Sequence, residues 1–146
     1  MNEKYIVYFI SKTKLFMTKF IEQELKTSKL SDLIPSHGNI LTVLYEATEP
    51  VTMKDISNKI GKDKSTVTAL VNKLVQLGYV TKEVATYDKR VTHVHLTEKA
   101  KQAKQTYDQI SHRVQETAYQ DFTEDEKKEL LRLLKKLSLN FKKSLF

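Results

Sequence analysis

The chain of 146 residues has room for one folding unit with a real hydrophobic core and hardly room for two independent ones. Its 25 Lys and Arg outnumber 18 Asp and Glu, and the formal charge of +7 favours a polyanionic partner. Nucleic acid is expected before a membrane, because the longest apolar run is far short of the roughly 20 residues a spanning helix needs. The complete lack of cysteine excludes disulfides, a thiolate zinc site and a thiol redox switch.

In chain order, Tyr5, Ile6, Phe9, Ile10, Phe16, Met17, Phe20, Ile21 and Leu25 recur three or four apart and predict a helix with a wide apolar surface from about Glu3 to Lys26. This start lacks the charged, apolar and small-residue succession of a secretory signal, so a cytoplasmic protein is expected. The Leu33-Ile34-Pro35-Ser36 stretch is a break, since proline disfavours helix at the residue before it. Ser36 is then expected to cap a helix through Ile40, Leu41, Val43, Leu44 and Ala47 that ends before Glu49-Pro50.

Thr52 predicts the capped start of a short helix running to Ile60 before Gly61. Asp63 caps the next, whose Val67, Leu70, Val71 and Leu74 form an apolar stripe ending near Gly78. The β-branched and aromatic stretches from Tyr79 to Ala85 and from Val91 to Leu96 bracket Thr86-Tyr87-Asp88-Lys89-Arg90 and predict a two-stranded hairpin with a basic tip. Thr97 caps a long helix carrying Ala100, Ala103, Tyr107, Ile110, Val114 and Ala118, and Thr123 with Glu126 forms a capping box for a last, leucine-rich helix. The fold class is mainly α with a small β-wing: a winged helix-turn-helix lobe plus N- and C-terminal dimerisation helices. Residues 36–96 make the lobe, 52–78 the helix-turn-helix and 79–96 the wing, while 3–30 and 97–146 supply the dimerisation helices.

A helix pair of this kind places its second helix in the major groove of double-stranded DNA. Opposite the apolar stripe stand Lys64, Ser65, Thr66, Thr68, Ala69, Asn72 and Lys73, which are small, polar or basic. Such side chains let a helix approach base edges closely: Ser and Thr bond bases or phosphate, Asn pairs with adenine, and Ala touches the thymine methyl. No carboxylate interrupts this face, and Asp63 is assigned to the cap.

The segment from Asp88 to Thr97 reads D-x-R-x-x-x-V-x-L-T, a fixed distance after Gly78-Tyr79-Val80, and resembles the wing of the MarR family of regulators. Thr66 to Leu74 is similar to that family's recognition helix, and the resemblance covers essentially the whole chain. It implies that Arg90 enters the minor groove, that Asp88 orients the wing by pairing with an arginine, and that Lys89 meets phosphate. A narrow minor groove concentrates negative potential, which gives the arginine its physical rationale.

The terminal segments carry more large apolar residues than the central lobe needs, and the simplest partner for them is the same pair from a second chain. Such a homodimer carries +14, double the charge of one chain. Its two recognition helices are expected about 34 Å apart, matching a palindromic operator. The resemblance also implies a small aromatic effector between the dimerisation helices and the lobe, where Tyr5, Phe9, Phe16 and Phe20 are the candidate lining residues.

No metal site is expected from the four histidines. His93 and His95 share a strand face and Asp108 with His112 a helix face, but neither pair reaches the three or four ligands that zinc requires. No cofactor and no catalytic residue is expected, since no phosphate loop or nucleophile triad is present. The resulting expectation is a DNA-binding regulator, a repressor, with a winged-helix protein-interaction scaffold as the alternative. Exposed large apolar or acidic residues on the second helix would mark the scaffold; Lys64, Ser65, Thr66 and Thr68 favour DNA.

Overall fold

The computed structural model describes residues 2–146, which fall into two compact units, one ending at Ser111 and the other spanning His112–Phe146. In the first unit a 3-10 turn, Glu3–Tyr5, leads into α1 (Ile6–Lys26). Among its residues only Leu25 is fully buried, and the N-terminal half, from Tyr5 to Met17, turns its large apolar side chains outward. None of the helices, among the described residues, is long and apolar enough to cross a membrane.

Helix α2 (Pro35–Glu46) starts two residues earlier than a Ser36 cap would place it. Pro35 occupies its first position, where a fixed φ and a missing N–H cost nothing. The cap is therefore not Ser36: the Ile34 N–H donates to Nδ1 of His37 at 3.1 Å, so a buried imidazole does the work assigned to a hydroxyl.

Strand β1 (Val51–Thr52) runs directly into α3 (Met53–Ile60), followed by α4 (Lys64–Gln76), β2 (Val80–Val84), β3 (Thr92–Leu96) and α5 (Glu98–Ala118), whose last turns belong to the second unit. The wing has three strands, not two, in the order β1-β3-β2 and all antiparallel. Val51 pairs with Val94 and Thr52 with His93, while Val80 to Val84 run opposite Leu96 to Thr92.

Ile40 and Leu41 of α2, Ile56 of α3, Val67, Val71 and Leu74 of α4 and Val80 and Val94 of the sheet make the core. Each such side chain contributes about 1.5–3 kcal/mol when fully withdrawn from water. Leu70, expected in that stripe, is only half-buried, because it lies at the stripe's margin. Tyr79 is also in the core, and its hydroxyl donates to Asp32 at 3.0 Å, which satisfies the one polar atom the ring brings inside.

The second unit holds the end of α5 and α6 (Glu124–Leu145). Thr123 and Glu126 form the expected reciprocal box, with Oγ1 accepting the Glu126 N–H at 3.1 Å and Oε1 accepting the Thr123 N–H at 3.0 Å. Acidic residues crowd the first turn of α6 and lysines the last, in line with the helix dipole. Leu131, Leu133, Leu134, Leu139 and Phe141 remain exposed.

Candidate nucleic-acid interface

Two carboxylates set the angle at which α3 and α4 begin. Thr52 and Asp55 cap α3 reciprocally, at 3.1 and 3.0 Å. Gly61 then takes the left-handed conformation, φ 68°, that ends α3, a geometry glycine adopts without a Cβ penalty. Asp63 accepts the Thr66 N–H at 2.8 Å and the Ser65 hydroxyl at 3.1 Å, which holds its carboxyl below the usual carboxylate range. The negative charge is thereby spent on the helix start.

Beyond that cap, Lys64, Ser65, Thr66, Ala69, Asn72 and Lys73 are exposed and Thr68 is half-buried, its hydroxyl donating to the Lys64 carbonyl at 2.8 Å. Asn72 does not stand alone, since its Oδ1 accepts from Nζ of Lys82 on β2 at 2.6 Å.

At the tip of the wing, Asp88 grips Arg90. The Arg90 Nε and Nη2 donate to the two carboxylate oxygens, each at 3.1 Å, and the Arg90 backbone N–H adds a third bond at 2.9 Å. The hydrogen bonds from Arg90 keep the Asp88 carboxyl well below its ordinary range. The fork is lopsided in exposure: the Arg90 side chain is 90% accessible and that of Asp88 only 29%. The carboxylate thus aims a guanidinium outward without itself facing outward. Lys89 is exposed beside it.

Between the starts of α3 and α4 and the wing lies a cleft of about 720 Å³. Lys54, Lys64, Lys82 and Arg90 supply its charge, and Thr52, Ser57, Thr68, Tyr87 and Thr92 its hydroxyls, with no carboxylate in the lining. Of these cations only Arg90 has a carboxylate partner among the bonds described, Asp88 outside the lining, and cations converging on a concave surface concentrate a positive field.

A family model described as MarR family matches residues 31–91. The HTH-type transcriptional regulator MgrA of Staphylococcus aureus is 30% identical over 98 residues, 67% of this chain and 65% of the relative, so the chain spans slightly less than two thirds of that relative's length. The chain is thus similar to the MarR family over these residues. A MarR protein from Peptoclostridium difficile superposes with a TM-score of 0.87 at 24% identity, covering 99% of this chain and 92% of the other. MepR of S. aureus, solved as a DNA complex, superposes with 0.83 at 18% identity, covering 96% and 99%. These two likenesses bear on the fold, which is that of the MarR winged helix. MarR proteins are transcription regulators, not enzymes.

On this scaffold the structure brings Lys64, Thr68 and Arg90 into one cleft and leaves Ser65, Thr66, Ala69, Asn72, Lys73 and Lys89 exposed outside its lining. Lys54, Ser57, Lys82 and Tyr87 join the cleft without having been anticipated. One of them was readable: the two-residue period of the strand puts Lys82 on the same side as the buried Val80, so its stem must run along the helix-facing side before the ammonium surfaces. Tyr5, Phe9 and Phe16 are exposed and Phe20 half-buried, with Tyr5 and Phe9 edge to face at 6.3 Å, and none of the four lines the cleft. His93 and His95 do stack on one strand face at 6.2 Å, His112 pairs with Glu116 at 2.8 Å and Asp108 with Lys104 at 2.9 Å. Among the described residues no three His, Cys, Asp or Glu side chains converge as metal ligands would.

Proposed function

We propose that this MarR-like protein is a sequence-reading, double-stranded-DNA-binding transcription regulator, acting as a homodimeric repressor on palindromic operators. The carboxylate-free cleft, in which the start of α4 and the outward-aimed Arg90 present cations and hydroxyls together, carries this reading. The small polar face of α4 suits the major groove and Arg90 the adjacent minor groove. Lys54 and Lys89 are assigned to phosphates, which fix register without reading sequence. That MepR, which shares this fold, was solved as a DNA complex supports the DNA-binding reading.

The exposed apolar face of α1, and separately that of α6, are assigned to a second copy of the chain. A small aromatic effector that reached Tyr5, Phe9, Phe16 or Phe20 would meet the same apolar surface, which gives it a way to alter the spacing of the two recognition helices.

Selection from random duplex oligonucleotides at physiological salt tests the proposal. The expected result is an inverted repeat with half-sites one helical turn apart and an affinity that falls steeply with salt. Arg90→Ala should weaken that complex about tenfold or more while leaving thermal unfolding unchanged. Absence of any enriched sequence would leave the protein-interaction scaffold as the better reading.

A further inference from the structure

The amide of Asn72 has a fixed orientation, and this bears on which base it can read. Lys64, Thr68 and Asn72 form one i, i+4 row along α4, and Asn72 is the member at which the wing touches the recognition helix. Its contact is Nζ of Lys82, 2.6 Å from Oδ1. An ammonium has three donors and no acceptor, so only the amide oxygen can face it. The Nδ2 group, with its two N–H donors, must point the other way.

A bidentate asparagine–adenine pair needs both ends of the amide: Oδ1 accepts from N6–H while Nδ2 donates to N7. With the lysine on one lone pair of Oδ1, an incoming N6–H is left the other, beside an ammonium whose charge repels its own positive hydrogen. Guanine, with O6 and N7, and thymine, with O4, offer only acceptors there, apart from the thymine methyl, and suit a donor-only amide. We infer that Lys82 is a positioning residue that turns Asn72 into a donor-only reader, so that its operator position is guanine or thymine and not adenine. The inference rests on the DNA-reading proposal and sharpens it at one base pair of each half-site.

The test is oligonucleotide selection with the full-length wild type, Asn72→Ala, Lys82→Met, Lys82→Arg and the Lys82→Met/Asn72→Ala double variant, with salt titration of each complex. The position whose preference Asn72→Ala flattens is the one read by Asn72. Wild type should select guanine or thymine there. Lys82→Met, which keeps the aliphatic stem and removes the donors, should shift that position toward adenine by about tenfold or more. Lys82→Arg, donor-only like lysine, should retain the wild-type preference, and the shift should vanish in the double variant.

Adenine at that position in the wild type overturns the inference. So does a Lys82→Met protein with an unchanged motif and a salt slope shallower by about one, the mark of a phosphate contact; DNA reading itself survives both outcomes. A wild type that selects no sequence at all removes the DNA-reading proposal and this inference with it.

Discussion

His37 is buried in the core of the DNA-binding lobe and holds the N-terminus of α2 by accepting the Ile34 N–H on Nδ1. Only a neutral ring can accept there. Burial lowers its pKa from the ordinary 6.5, the Lys73 ammonium lowers it further, and Asp32 opposes both. A histidine depressed in the folded state binds fewer protons than in the unfolded chain, so its stabilising share is complete above pH 6.5 and is lost as pH falls through the folded value. Urea unfolding of wild type should therefore weaken from pH 7 toward pH 5, and His37→Gln, whose amide still offers an acceptor, should lose part of that slope. Equal slopes in the two proteins would assign the pH dependence elsewhere. Contacts between distant elements are where the sequence was least legible. Caps such as Thr52–Asp55 and Thr123–Glu126 close over three residues and can be read along the chain. The Tyr79–Asp32 and Lys82–Asn72 bonds join residues 47 and 10 apart and depend on how elements pack.

Helix α3 shows how unequally one element is held. Thr52 satisfies one orphan N–H of its first turn, that of Asp55, from the surface, whereas Ile56 sits fully enclosed in the core. Thr52→Ala should cost about 1 kcal/mol and Ile56→Ala about 2–5 kcal/mol. Denaturant titration of both variants checks the order, and a reversal would mean that the helix is fixed by its cap and not by packing. The same element explains the missed third strand. Val51 and Thr52 are only two residues, too few to show a period, and their partners Val94 and His93 lie far along the chain. The long helices were legible because each carries several turns of apolar spacing; the start of α2 was misplaced by two residues because a proline start and a histidine acceptor replace the usual hydroxyl cap.

For the whole molecule, the exposed face of α1 is too apolar to be left in water. Val7 is 70% accessible, among Tyr5, Tyr8, Phe9 and Ile10. If a second copy covers it, Val7→Glu places a charge with no counter-charge in that interface and should raise the dimer dissociation constant by about tenfold or more. Sedimentation equilibrium decides the matter, and an unchanged constant would move the dimer contact off α1. Within the lobe, Thr97 is a single fastening for three elements: its hydroxyl reaches the carbonyls of Gly78 at 2.6 Å and Tyr79 at 3.1 Å and accepts the Ala100 N–H at 3.3 Å. The turn from α4 into β2 and the first turn of α5 are therefore expected to loosen together. In hydrogen-exchange terms the amides of Tyr79, Thr97 and Ala100 form one opening unit. Whatever grips the start of α5 will slow exchange at the foot of the wing without touching it.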